Sequence, residues 1–202
     1  YQTKFLGVIL NDKLTWENHI SLIRNKVSKS IGILRRIHNI IPESILRNLY
    51  YTLINPYFEY CNIIWATNST GTLAKLFRIQ KRALRLITNS KWNAHTDPLF
   101  RQCKMLTIYK LNQLQVGCFM YEVYKRSLPQ YFIDMFQPNS AIHHYNTRQC
   151  NNYHVPSHRL TVTSNSMRIL GVNIWNSICL DIKFIDSFSL FRTRYKLYLL
   201  DI

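Results

Sequence analysis

Acidic side chains are scarce in this chain, with 10 Asp and Glu among 202 residues against 26 Lys and Arg. No two of them are adjacent in sequence. A two-metal polymerase or nuclease site needs close carboxylates to hold Mg²⁺ ions about 4 Å apart, and no such pair is marked here. No catalytic residue and no cofactor is therefore assigned within these residues. Glycine is also rare, at five residues, and Gly-rich phosphate loops, G-x-S-x-G and H-E-x-x-H are absent. No apolar run reaches the roughly 20 residues of a membrane-spanning helix. No signal peptide opens the chain, and its first residue is Tyr1, which reads as the start of a fragment. Cys61, Cys103, Cys118, Cys150 and Cys179 form an odd set without C-x-x-C, which reads as free thiols in a reducing compartment. The expected location is intracellular, nuclear or cytoplasmic, and not secreted, so the glycosylation-type triplet at Asn68 is expected to be silent.

What the chain has in quantity is positive charge, a formal +16, together with 47% hydrophobic residues. That is enough apolar material for one good core or two small ones, so the chain reads as globular and not as a disordered basic tail. The charge calls for a polyanion. Nucleic acid is the first partner to consider and an anionic membrane surface the second.

The charge is concentrated in "LAKLFRIQKRALRLI", residues 73 to 87, which carries five cations and no carboxylate. At about 100° per residue, Lys75, Arg78, Lys81, Arg82 and Arg85 fall within an arc of roughly 120°. The opposite side holds Leu73, Leu76, Phe77, Ile79, Ala83, Leu84, Leu86 and Ile87. This pattern predicts an amphipathic helix whose wet face is wholly cationic. Such a face is either a solvated surface or a surface for an anion, and the nearest acids, Glu59 and Asp97, are distant in sequence.

Around this segment the pattern is mostly helical. "KFLGVIL" (4 to 10) reads as a short strand ended by a turn at Asn11-Asp12. A helix follows, with Thr15 as N-cap and Ile20, Ile23, Val27, Leu34, Ile37 and Ile41 as its apolar stripe. Pro42 stops it and opens a second helix, with Ile45, Leu46, Leu49, Leu53 and Ile54 inward, and the basic helix comes third. Three helices with short connections point to a small bundle. The polar stretch 88 to 98 reads as a boundary. Leu106 to Lys125 reads as helical, 137 to 152 as a polar loop, 152 to 175 as short strands or a ribbon, and a last helix starts near Ser187. The expected fold is mostly α: a helical bundle after a short N-terminal β-strand, then a smaller α+β C-terminal region.

One cluster has metal-ligand chemistry: His143, His144, Cys150, His154 and His158. Cys150, His154 and His158 recur every four residues, but Asn151, Asn152 and Pro156 oppose a helix there, and only one thiolate is near. No metal is assigned, and the histidines read as polar loop residues. Aromatic residues are interleaved with cations, as in Trp92 beside Lys91 and Tyr145 beside Arg148. Such rings either stack on unpaired bases or fill the core.

The order of the segments adds a resemblance. "KFLGVILNDKLTWENHI", "LYYTLINPYFEYCNIIW", "LFRIQKRALRLITNSKWNAHTDPLF", "SLPQYF", "HYNTR", "NIWNSI" and "FRTRYKLYLL" together resemble the C-terminal part of a non-LTR (LINE-type) retrotransposon reverse transcriptase, an RNA-directed DNA polymerase. The resemblance implies that 1–12 is the end of the polymerase palm, 13–92 a thumb-like helical bundle and 93–202 a C-terminal region. Phe5, Leu6, Gly7 and Val8 are similar to the last conserved polymerase motif, which grips the primer end. Lys75, Arg78, Lys81, Arg82 and Arg85, with Lys91 and Arg148, would then contact RNA and DNA as the template–primer duplex. The family's aromatic-x-Asp-Asp turn lies upstream of the Phe-Leu-Gly motif and is missing here, with the fingers and most of the palm. Mg²⁺ is accordingly expected only in the complete polymerase, and this chain alone is expected to be inactive. A stand-alone RNA- or DNA-binding module and a non-functional transposon remnant are the alternatives.

Overall fold

In a computed structural model of the chain, residues 1–66, 70–142, 150 and 152–201 are described. The fold is mostly α, as expected, and its N-terminal strand is part of a two-stranded sheet. The described residues fall into two compact units, Tyr1–Asn112 and Gln113–Leu200.

The first unit opens with β1 (Gln2–Phe5) and β2 (Val8–Asn11), an antiparallel pair in which Phe5 faces Val8 and Gln2 faces Asn11. The single strand expected over 4 to 10 is thus a hairpin with a tight turn at Leu6-Gly7, while the turn expected at Asn11-Asp12 does follow β2, where the Leu14 amide donates to the Asn11 carbonyl at 3.0 Å. Both turn residues have positive φ, 45° at Leu6 and 84° at Gly7. A two-residue hairpin turn with that twist requires left-handed backbone at both positions, which glycine tolerates at the second. Asn11 also organises the entry to the first helix, accepting from the Thr15 amide at 2.9 Å and donating to the Thr15 hydroxyl at 2.8 Å. Thr15 is therefore not the N-cap; that position falls to Trp16, and α1 runs Glu17–Ile37.

Helix α1 buries Ile20, Ile23, Val27 and Leu34 of the expected stripe and adds His19 and Ile31. It ends before Ile41, because the chain turns at 38 to 41 ahead of Pro42. Then come α2 (Glu43–Leu53), the short α3 (Asn55–Glu59) and α4 (Asn62–Trp65), the basic helix α5 (Thr70–Ile87), α6 (Asp97–Gln102) and α7 (Ile108–Tyr124). The core of this unit is α1 against α5, with α2 packed on both. Ile20, Leu34, Leu46, Ile54, Phe58, Trp65, Leu76 and Leu84 are among its most enclosed side chains. At about 25 cal/mol per Å² of apolar area, each such side chain contributes roughly 1.5–3 kcal/mol.

The second unit takes up α7 from Gln113 and adds α8 (Gln130–Ile133), α9 (Asn139–Ile142), α10 (Thr161–Ser164), α11 (Met167–Ser177), α12 (Leu180–Lys183) and α13 (Phe188–Asp201). Here the sequence reading and the structure differ: the strands expected over 152 to 175 are α10 and α11, and the one β-bridge among the described residues joins Pro138 to Tyr153. The β-branched residues that mimic a strand are inward positions of α11, namely Ile169, Val172 and Ile174. Tyr121, Phe191 and Tyr195 stack in series, with centroids 4.3 Å and 5.7 Å apart. The Tyr121 hydroxyl donates between the Ile185 and Asp186 carbonyls, 2.7 Å from each. Lys125 closes the same corner through an ion pair to Asp186 at 2.9 Å.

Candidate nucleic-acid interface

Helix α5 is two-sided because its residue types are. Leu73, Leu76, Ala83, Leu84 and Ile87 are buried toward α1 and α2, whereas Lys75, Arg78 and Arg82 are exposed. Lys81 is half-buried, its ammonium 4.3 Å from the centre of the Phe77 ring, a cation–π contact that leaves the charge near the surface. Arg78 bends back to donate from Nε to the Ala74 carbonyl at 3.3 Å. Among the described residues none of these cations is in an ion pair. Lys75, Arg78 and Arg82, with Lys81 at their edge, therefore form a cationic face that no carboxylate among the described residues pairs with.

Arg85 has a different place. Its Nε and Nη2 both donate to the Ala94 carbonyl, at 3.0 Å and 2.9 Å, which ties the loop 88 to 96 to the end of α5. The same loop carries Lys91 and Trp92, both exposed, the tryptophan at 87%. Arg85 thus fixes the segment that holds Lys91 and an unburied indole near the basic helix. Arg148 lies outside the described residues, as do His143 and His144.

Sequence reasoning passed over Gln80. It lies about 140° around the helix from Lys75, at the centre of the apolar arc, and is fully enclosed. Its amide nitrogen donates to the Tyr50 hydroxyl and the Leu106 carbonyl, both at 2.9 Å, and its oxygen accepts from the Ile108 amide at 2.9 Å. That amide is at the start of α7, where the first turn has no intrahelical acceptor. Gln80 therefore locks α5 to α2 and to the root of α7, and a polar residue at the centre of an apolar arc was the signal for it. Burial also pushes the Tyr50 hydroxyl above its ordinary range. A second buried amide pair, Asn112 donating to Asn62 at 2.8 Å, holds α4 to α7.

The hairpin tip is positioned by Tyr60, whose hydroxyl donates to the Leu6 carbonyl at 2.5 Å. Phe5, Leu6 and Gly7 are exposed while Val8 is buried. Behind the hairpin, His19 is buried with Nδ1 accepting from the Ile9 amide at 3.4 Å, and its ring meets Trp65 edge-on at 5.7 Å. Burial first, and the Lys26 charge second, hold the His19 pKa below its ordinary value.

Among the described residues no three His, Cys, Asp or Glu side chains gather as metal ligands. His154 donates its amide to the Gln137 carbonyl, and His158 Nδ1 lies 3.2 Å from the Pro156 carbonyl. All five cysteines are free, and the Cys103 thiol is pushed up to about 11 by burial and by Glu43. No helix among the described residues is long and apolar enough to cross a membrane.

Comparison with known proteins finds a related sequence. This chain is similar to a transposon polymerase. Over 110 residues, 52% of its length, it is 28% identical to a Drosophila melanogaster protein described as the probable RNA-directed DNA polymerase from transposon X-element. The matched stretch is 12% of that relative, so the chain corresponds to a small part of it. No protein-family model and no solved structure matches the chain.

Proposed function

We propose that this chain is a nucleic-acid-binding, C-terminal piece of a non-LTR retrotransposon reverse transcriptase, with α5 laid along the backbone of a template–primer duplex as part of a thumb. The observation that carries the reading is the row of Lys75, Arg78, Lys81 and Arg82 on one face of α5 without ion-pair partners among the described residues. The similarity to an RNA-directed DNA polymerase of a transposon supports the same reading. A helix face of this kind meets phosphates, which position a duplex without reading its sequence. In this reading the hairpin tip at Phe5 to Val8 approaches the primer end, and the Mg²⁺-binding Asp pair is supplied by other parts of a longer polymerase. The protein works inside the cell, where its RNA and DNA partners are.

The test is a salt titration by fluorescence anisotropy on a short RNA–DNA hybrid. Each phosphate contact adds about 0.9 to the slope of log K against log salt on duplex DNA and about 0.7 on single strands. Replacing Lys75, Arg78 and Arg82 together by Gln lowers that slope by about two to three units and leaves the fold intact, since Gln is nearly as good a helix former. Arg85 is left out because of its hold on Ala94. A folded triple variant with an unchanged slope overturns the reading. On a primed RNA template with Mg²⁺, residues 1–202 alone incorporate no dNTP above a buffer control.

A further inference from the structure

The second unit holds a partly open cavity of about 340 Å³ whose walls, among the described residues, combine aromatic rings with two cations. That volume is at the small end of the range for small-molecule sites. Tyr124, Tyr153 and Phe184 offer ring surface, Phe136 and Trp175 back them, and among the described residues no Asp or Glu lines the space. Arg126 is exposed at the wall, whereas Lys183 is only 6% exposed.

Lys183 is the unusual group. Its ammonium contacts Asn152 Oδ1 at 3.5 Å and the Asn176 carbonyl at 3.4 Å, both long for a charged donor, and it lies 5.7 Å from the Trp175 ring centre. Among the described residues it has no carboxylate partner. A buried charge without a counter-ion is costly, and burial lowers its pKa accordingly. An anion in the cavity would supply the counter-charge. The walls specify more than an anion, because rings at the mouth of a cationic cavity favour a ligand that is both flat and negatively charged.

We propose that this cavity binds an unpaired nucleotide, with its phosphate on Lys183 and Arg126 and its base against the Tyr124, Tyr153 and Phe184 rings. The site is separate from α5 and stands or falls without it. A duplex does not fit, since paired bases keep their faces stacked, so the ligand is a free mononucleotide or a single-stranded nucleotide. The Tyr153 backbone is firmly held, since its amide donates to Asn176 Oδ1 at 3.1 Å and its carbonyl accepts from Asn176 Nδ2 at 2.9 Å. That clamp does not use the half-buried ring, which meets Phe136 edge-to-face at 6.1 Å and lines the cavity.

The experiment titrates the 202-residue chain with UMP, uridine, inorganic phosphate and the tetranucleotide rU4, reading tryptophan fluorescence and calorimetry. UMP is expected to saturate one site, with uridine and phosphate each at least tenfold weaker. Lys183→Met and Tyr153→Leu are each expected to weaken UMP binding roughly tenfold or more, while circular dichroism reports an intact fold. Tyr153→Leu decides the matter if Lys183→Met fails to fold. Tighter binding of rU4 than of UMP identifies a strand as the ligand, and equal binding identifies the mononucleotide; either supports the site. The proposal is overturned if UMP does not saturate at millimolar concentration, if uridine binds as well as UMP, or if a folded variant binds UMP as the parent does.

Discussion

On α5 the charged heads of Lys75, Arg78 and Arg82 stand in solvent, whereas on α12 Lys183 is almost wholly enclosed and at least 3.4 Å from its acceptors. Both regions are cationic, yet the physics differs. Exposed charges are screened within about 8–10 Å at physiological salt, so their attraction to a polyanion is additive, weak per contact and steeply salt-dependent. An enclosed charge is screened far less, and its cost is relieved by losing its proton or by an anion that reaches it. The first arrangement suits a long backbone of any sequence, the second a small ligand of defined shape.

The comparison is broken most violently by placing a charge on the wrong side of α5. Leu84 is fully enclosed in the first unit, so Leu84→Asp combines the loss of a buried leucine, about 2–5 kcal/mol, with an unpaired buried carboxylate. The expected result is loss of cooperative unfolding of the first unit in a urea titration followed by circular dichroism. Gln80→Ala comes next. It strands the Ile108 amide, the Leu106 carbonyl and the Tyr50 hydroxyl, and is expected to cost about 2–4 kcal/mol. Tyr50→Phe removes a single partner of the same network and is expected to cost only about 1 kcal/mol, so the pair of variants measures how much of the lock is Gln80 itself.

These buried residues also mark how far the sequence was legible. The cations and apolar residues of α5 announce the helix and its two faces through the 3.6 period alone, and the α1 stripe from Ile20 to Leu34 does likewise. The hairpin was hidden because Phe5 to Leu10 is continuously apolar but for one glycine, and the decisive feature is backbone handedness at Leu6 and Gly7. Over 152 to 175 the β-branched residues carry a strand-like composition, but burial against other helices of the unit overrides that preference. Lys183 gave no sequence signal, since its enclosure follows from residues distant in sequence, such as Val123, Phe136 and Asn152, that line the same cavity.

Arg85 sharpens the comparison from within the basic face, for it belongs to the same charged arc as Arg78 and Arg82 but is engaged internally. Arg85→Gln is expected to cost about 1–2 kcal/mol through the lost bonds to Ala94, discounted because the side chain is half-buried. Its effect on the salt slope is expected to be under one unit, where Arg82→Gln changes the slope and leaves stability alone. Equal behaviour of the two single variants in both measurements would show that the Ala94 contact does not distinguish them.

The smallest expected effect is pH-dependent and concerns His19. Its Nδ1 accepts from the Ile9 amide, so the neutral ring carries its proton on Nε2, which is buried without a hydrogen-bond partner among the described residues. Protonating the ring would bury a charge and set it near that of Lys26, which is why the folded-state pKa lies below the unfolded 6.5. Between those two values the unfolded chain holds more protons than the folded one, so stability rises with pH there. The contribution is fully present above pH 6.5 and declines as the solution is acidified toward the folded-state pKa. Urea midpoints of the first unit, followed at pH 7.5 and 5.5, should therefore fall on acidification. In His19→Gln, whose side-chain oxygen also accepts from Ile9, this part of the decline should vanish. An equal decline in parent and variant would assign the acid sensitivity to other groups and leave His19 as a neutral packing residue behind the hairpin.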